Sequence, residues 1–381
     1  MYQRPLAALA VLCAAASACA GATDPITLRH DRNGWTATIR GSFSASDEMR
    51  IVAGGDVTIC GTGAGTVSYA ITRRFDRGTS EAQARGFARQ IAAAIRAQQH
   101  STTITFADSR QFVRMEMPRR TARLYVTSVA GDIDVTGVDG AVFTRNGAGQ
   151  TSLDQIGGDA EIQTAGGCTT LGLIGGNLHC VSGGGAIRAR TIRGAAVFET
   201  SGGEIYAAEA LGPVRAFTGA GRIRIGRAGS SVTATTQGGA IEIGRAAGMV
   251  VANNSGGPIQ VASAPAVRCE TSAGAIRLAG ITSSVIATTS LGDIIASLLG
   301  ARLTANSVLQ TGNGDITVSI PSNVSVTLQA TTTTGSGRIR SEFPLRVTNR
   351  GALLIAEGPV NGGGPLLRIA GKGGTIFIKR Q

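Results

Sequence analysis

The stretch GRIRIGRAGSSVTATTQG at residues 221–238 is followed at once by GAIEIGRAAGMVVANNSG at 239–256, and the two align position by position over 18 residues. In each, apolar side chains fall two apart (Ile223 and Ile225, Ile241 and Ile243) and do so again further on (Val232 and Ala234, Val250 and Ala252). Alternation of this kind turns one face of a β-strand toward a core. Outward from these units, glycines recur at 131, 149, 167, 185, 203, 221, 239 and 257, every 18 residues, and continue at 274 and 292. Ten glycines in register mark a structural repeat.

The other columns keep the same step. Two residues after each glycine stand Ile133, Thr151, Thr169, Ile187, Ile205, Ile223, Ile241, Ile259, Ile276 and Ile294. A second column runs from Val135 through Ile225 to Ala296, and a third from Val138 through Ala228 to Ile281 and Leu299, where it turns a corner inward. A second strand contributes Val142 through Val285 and Thr144 through Ala287, with Cys180, Phe198 and Cys269 in the latter file. One unit has about five inward residues, too few to offset the entropy of ordering it. Stacked coils turn each column into a continuous buried file. The predicted fold is therefore all-β, a parallel β-helix (β-solenoid) of 18-residue coils, right-handed by the bias of parallel connections, with one N-terminal α-helix. Ten coils at about 4.8 Å make a rod on the order of 45–50 Å long.

A polar column stands three residues before each in-register glycine: Asn146, Thr164, Ser182, Thr200, Thr218, Thr236, Asn254, Thr271 and Thr289. Short hydroxyl and amide groups there are expected to bond the turn backbone and their like neighbours, while the glycine takes φ > 0. A row of ligand-binding hydroxyls is the competing reading.

The flanks divide the chain into 1–20, a signal peptide; 21–130, strands and a helix capping the solenoid; 131–300, the strict repeats; and 301–381, irregular C-terminal coils and a cap. Arg4 and the apolar run Leu6 to Ala16 precede small residues, as export signals require. Ala18-Cys19-Ala20 fits a cleavage site, and Cys19 is a candidate lipidation site. In the N-terminal flank, strands are expected at 26–28, 35–39, 50–52, 102–106 and 112–117, with 55–59 as a first coil. Thr79-Ser80-Glu81 opens the helix, whose apolar stripe is Ala84, Phe87, Ala88, Ile91 and Ile95. Toward the C-terminus, strands are expected at 315–320, 324–328, 338–340 and 375–378.

Chemistry is sparse. His30, His100 and His179 lie far apart, and neither a zinc pattern nor a GxSxG nucleophile motif occurs. No cofactor, metal or catalytic residue is assigned. Asp132, Asp134 and Asp154 are the best remaining carboxylate candidates, but acids do not stack along an outer column as a glycosidase pair requires. Cys180 and Cys269 read as buried small hydrophobes, and a Cys60–Cys168 disulfide has no support. The formal net charge is +12. Ten arginines against five glutamates over 185–280 suggest an anion-binding face, with Arg188, Arg190, Arg222 and Arg224 its candidates. Nucleic acid is a poor partner for an exported chain with few stacking aromatics.

Met117-Pro118 through Gly140, the repeated G-x-I units, GDITVSIP at 314–321, GSGRIRSEFPL at 335–345 and GTIFI at 374–378 together resemble the DUF4097 family of bacterial β-strand-repeat proteins, often labelled adhesins. The resemblance spans roughly residues 50–380. It implies envelope or surface binding and carries no catalytic residue. The expected function is a non-enzymatic, exported scaffold or adhesin in the periplasm or on the outer envelope. Its partner would be an anionic polysaccharide, lipid headgroup or envelope protein. The alternatives are a carbohydrate-active β-helix enzyme and a self-assembling envelope module.

Overall fold

The computed structural model describes residues 26–98, 102–106, 108–300 and 303–381. The expected signal peptide, Cys19 and His100 lie outside them. The described chain is a β-solenoid with a single helix. Ile187, Ile205, Ile223, Ile241 and Ile259 pair in parallel, each with the next, and none is exposed to solvent. The companion file through Ala207, Ile225, Ile243 and Val261 is equally buried, and so is the facing wall through Val214, Val232 and Val250.

One corner position departs from the alternation. Leu299 is 54% exposed, and Leu298 fills the buried file opposite Ile281. The register slips by one residue between Leu278 and Ile281, an irregularity that brings Leu298 rather than Leu299 opposite Ile281. Two adjacent leucines gave the pattern no means to choose between them.

The buried files run past both ends of the strict repeat. The N-terminal strands are β1 (Ile26–Asp31), β2 (Gly34–Ser44), β3 (Glu48–Ala53), β4 (Val57–Thr62) and β5 (Thr66–Arg74). Helix α1 (Glu81–Gln98) follows, then β6 (Thr103–Phe106), β7 (Gln111–Pro118), β8 (Arg123–Ser128) and β9 (Ile133–Thr136). β3 pairs in parallel with both β6 and β8, and β4 with both β7 and β9. The coil made by β3 and β4 thus lies second from the end, and β6 and β7, later in sequence, close over it. β5, which the sequence reading passed over, is antiparallel to β2 and β7 and buries Val67, Tyr69 and Ile71.

Helix α1 packs on β1, β2 and β6 through Ala84, Ala88, Ala92 and Ile95. Phe87 is not in that stripe: it is 46% exposed on the helix flank, beside the Phe75 ring. Small alanines let the helix axis approach the sheet, and a phenylalanine on the same line would hold it off. Ser80 and Gln83 exchange side-chain-to-backbone bonds across the first turn, a capping box that stops the helix from fraying.

The C-terminal end repeats the device of the N-terminal one. Leu366–Gly371 lies between Ser307–Asn313 and Val326–Thr333, parallel to both. Gly374–Arg380 likewise lies between Ile316–Ile320 and Gly337–Ser341. The last strands of the chain therefore complete an interior coil. An antiparallel ribbon, Arg346–Arg350 with Leu353–Val360, flanks Val326–Thr333. Of these, Ser307–Asn313, both ribbon strands and Leu366–Gly371 were not expected from sequence.

Candidate functional surface

The polar column belongs to the architecture. Thr218 Oγ1 accepts the Gly221 N–H at 3.1 Å and donates to the Gly203 carbonyl at 2.9 Å, so one hydroxyl closes its own turn and grips the coil before it. Thr200, Asn254 and Thr271 do the same. These groups are buried, which removes them as a row of ligand contacts. Their partners are backbone groups, whereas the sequence reading also expected like neighbours to bond. The expected φ > 0 holds at Gly149, Gly167 and Gly292 of the in-register series. Gly185, Gly203, Gly221, Gly239, Gly257 and Gly274 do not occupy the left-handed region. They are required because turns stack closely: a Cβ on Gly221 would collide with the Gly203 carbonyl oxygen.

The Gly-Asp-Ile/Val units have a comparable explanation. Asp132 Oδ1 accepts the Gln150 N–H at 2.7 Å, one coil on, while its own N–H donates to Asp56 Oδ1 at 2.9 Å. Asp293 holds the Asp315 N–H, and Asp315 holds that of Thr375. These carboxylates splice successive turns. Asp154 Oδ1 accepts the N–H groups of Gln155 and Leu173 and faces Arg190 at 3.3 Å. Asp134 sits diagonally across from it on the neighbouring coil. Burial raises the Asp134 carboxyl above the ordinary aspartate range; a bond with Ser152 lowers it, and the Asp154 charge raises it further. Two of the three candidate carboxylates are therefore committed to backbone amides. Among the described residues no group of three or more His, Cys, Asp and Glu side chains could hold a metal ion.

The four candidate arginines lie on one wall. Arg188 and Arg224 occupy the same outward file with Tyr206 between them. Each arginine stands near an acid: Arg188 3.9 Å from Glu204, Arg190 3.3 Å from Asp154, Arg222 3.7 Å and Arg224 3.6 Å from Glu242. Residues 131–300 hold eleven arginines against twelve acids, so the body of the rod carries almost no net charge. The excess is at the ends. Residues 26–130 hold fifteen arginines against eight acids, and residues 301–381 hold nine basic residues against three acids. Over 185–280 alone arginines outnumber acids; Asp132, Asp134, Asp139, Asp154, Asp159, Glu161 and Asp293 on the coils to either side restore the balance.

Aromatic side chains escaped notice for the opposite reason. They are few, but parallel register stacks them: the rings of Tyr125 and Phe143 lie 4.7 Å apart at 13°, and the Arg50 guanidinium covers Tyr125 at 4.2 Å. This stack floors an open groove of 460 Å³ that also includes Arg145, Glu161 and Gln163. One face of each ring is spent on the other, and Arg50, on the strand beyond Tyr125, covers that ring from the opposite side.

Cys180 and Cys269 are buried, and burial pushes both thiols up to about 12. Cys168 is exposed and free, so it forms no disulfide with Cys60. No helix among the described residues is long and apolar enough to cross a membrane. A family model described as Toastrack DUF4097 matches residues 80–354, from the helix through most of the C-terminal ribbon. No curated protein and no solved structure matches the chain.

Proposed function

Because the chain belongs to the Toastrack DUF4097 family, whose match spans the solenoid, we propose that it is a non-enzymatic scaffold of the cell envelope, a stiff rod that displays its exterior to an anionic partner. One observation carries this reading. The buried polar side chains of the coil turns bond the backbone that stacks the coils, so the groups left for recognition are on the outside, where the charge excess is positive. Export rests on the N-terminal sequence. The partner's class, an anionic envelope polymer or lipid headgroup, rests on charge and compartment.

The Asp134–Asp154 pair favours one second reading, a carbohydrate-active enzyme with Asp134 as its acid. The bonds Asp154 already makes to backbone and to Arg190 count against it.

Binding of the purified chain to envelope polymers and anionic vesicles across a salt series tests the proposal. Affinity is expected to fall steeply as salt rises, because exposed charge is screened beyond about 8 Å at physiological ionic strength. Replacing Arg188, Arg190, Arg222 and Arg224 together with Gln measures the share of the mid-rod wall. A chain that binds no polyanion at low salt, or that cleaves a polysaccharide in an Asp134-dependent way, defeats it.

A further inference from the structure

Between residues 337 and 381 stand Arg338, Arg340, Arg346, Arg350, Arg368, Lys372, Lys379 and Arg380, against only Glu342 and Glu357. All eight cations are exposed. Five mid-rod arginines and six in the N-terminal cap make ion pairs, yet these eight make none among the described residues. The Glu342 carboxylate is occupied by the Arg380 backbone N–H at 2.7 Å. The C-terminal tip is thus where uncompensated positive charge concentrates.

Two further features share this tip. A polar cup of 480 Å³ is lined by Gly335, Ser336, Gly337, Arg338, Gly374 and Thr375. Hydroxyls, turn amides and a guanidinium make it suited to a phosphate group. Asp315 Oδ1 is near but bonded to the Thr375 N–H. The adjoining ribbon exposes Val347 (59%) and Leu353 (44%), with Arg346 and Arg350 beside them in sequence or across the pair. Exposed apolar side chains among unpaired cations match the boundary between acyl chains and anionic headgroups better than they match a fully hydrated polymer.

We infer that the C-terminal tip of the rod docks on an anionic phospholipid surface, through the cations of 338–380 and the apolar side chains Val347 and Leu353. This rests on the reading of the chain as a scaffold with an anionic partner, and it names the partner and the place. The rod would then stand end-on to the lipid and leave its long walls free.

The experiment is sedimentation of the full chain with phosphatidylcholine vesicles with and without phosphatidylglycerol, and binding to polyglutamate as a soluble polyanion. The phosphatidylglycerol-dependent part is the readout, so any insertion of the apolar N-terminus into neutral vesicles cancels. Arg338→Gln, Arg340→Gln, Arg346→Gln, Arg350→Gln and Lys372→Gln combined should weaken that part more than about a hundredfold, since each surface cation contributes roughly fivefold. The mid-rod variant with Arg188, Arg190, Arg222 and Arg224 replaced should retain it. Val347→Ser with Leu353→Ser should weaken vesicle binding and leave polyglutamate binding unchanged. All these positions are exposed, and circular dichroism checks that the variants fold. A tip variant that binds vesicles like the parent overturns the tip assignment. A parent that binds polyglutamate but not vesicles, or a Val347/Leu353 variant that behaves like the parent, overturns the lipid and puts a polymer in its place. A parent that binds neither overturns this inference and the scaffold's anionic partner together.

Discussion

Ile223 has no solvent exposure and stands between Ile205 and Ile241 in a file that nothing polar interrupts nearby. A carboxylate there has no partner and cannot reach water, so Ile223→Asp should cost several kcal/mol and melt the middle coils. Thr218 loses less when truncated. Thr218→Ala removes one accepted and one donated bond, for about 1–2 kcal/mol. Thermal melts of the two variants check the assignment, and equal shifts contradict it. Asp134 gives a test with a sign. Its folded carboxyl is raised by burial, so the fold favours the protonated form. The stability this brings is complete below the unfolded value and is lost as pH rises through the folded one. Asp134→Asn should therefore raise the melting temperature at neutral pH and give no gain in acid. The cysteines report burial directly. With thiols pushed up to about 12, Cys180 and Cys269 should resist alkylation at neutral pH until the coils unfold, while Cys168 reacts at once, as peptide mapping would show.

Elements depart from the repeat where the chain doubles back. A simple solenoid shortened at its end loses one coil and keeps the rest. Here Leu366–Gly371 and Gly374–Arg380 separate the coil of 307–320 from that of 326–341. Deleting 366–381 should strip both neighbours of their pairing and expose Leu309, Ile316 and Leu328, which are now fully buried. Limited proteolysis should then cut from about residue 307 onward, with dye binding to the exposed apolar faces. Cuts confined to 321–365 would show that the interior placement is wrong. The sequence revealed the body well because one mechanism acts ten times: the side chain at the same place in each coil, isoleucine in eight of the ten, must stack on its equivalent. It said little about the ends because each end is used once. Val67, Tyr69 and Ile71 alternate as plainly as any coil, yet they pair antiparallel with strands far off in sequence, which no period announces. The candidate surface was half legible for a related reason. Arg188 and Arg224 do share a wall, but Asp154 and Glu242, which offset its arginines, reach them only through the stacking of coils.

Over the whole molecule, fifteen strands share the file that runs from Val113 through Ile223 to Ile339, a rod of roughly 65–70 Å at one coil per 4.8 Å. A tube of parallel strands has two open ends, and each end is a template for another copy. Two features oppose head-to-tail growth. Both caps carry excess positive charge while the body is nearly neutral, so an approaching end meets like charge. The Gly337–Ser341 strand, paired on one side with Gly374–Arg380, also bears Arg338 and Arg340 pointing outward. Guanidinium groups on an edge strand must be desolvated before a new strand can add, which blunts the edge. The self-assembling module is therefore the weaker reading, and it can be tested on the edge itself. Arg338→Val with Arg340→Val leaves every buried file intact and turns the edge apolar and β-prone. Sedimentation velocity should find the parent monomeric at low and high salt. The double variant should form elongated oligomers, more of them as salt screens the repulsion between caps. X-ray scattering should show those oligomers lengthening at constant cross-section, because new coils add only along the axis. A parent that polymerises under the same salt, or a variant that stays monomeric throughout, would mean that the helix and the antiparallel ribbon close the ends without help from the arginines.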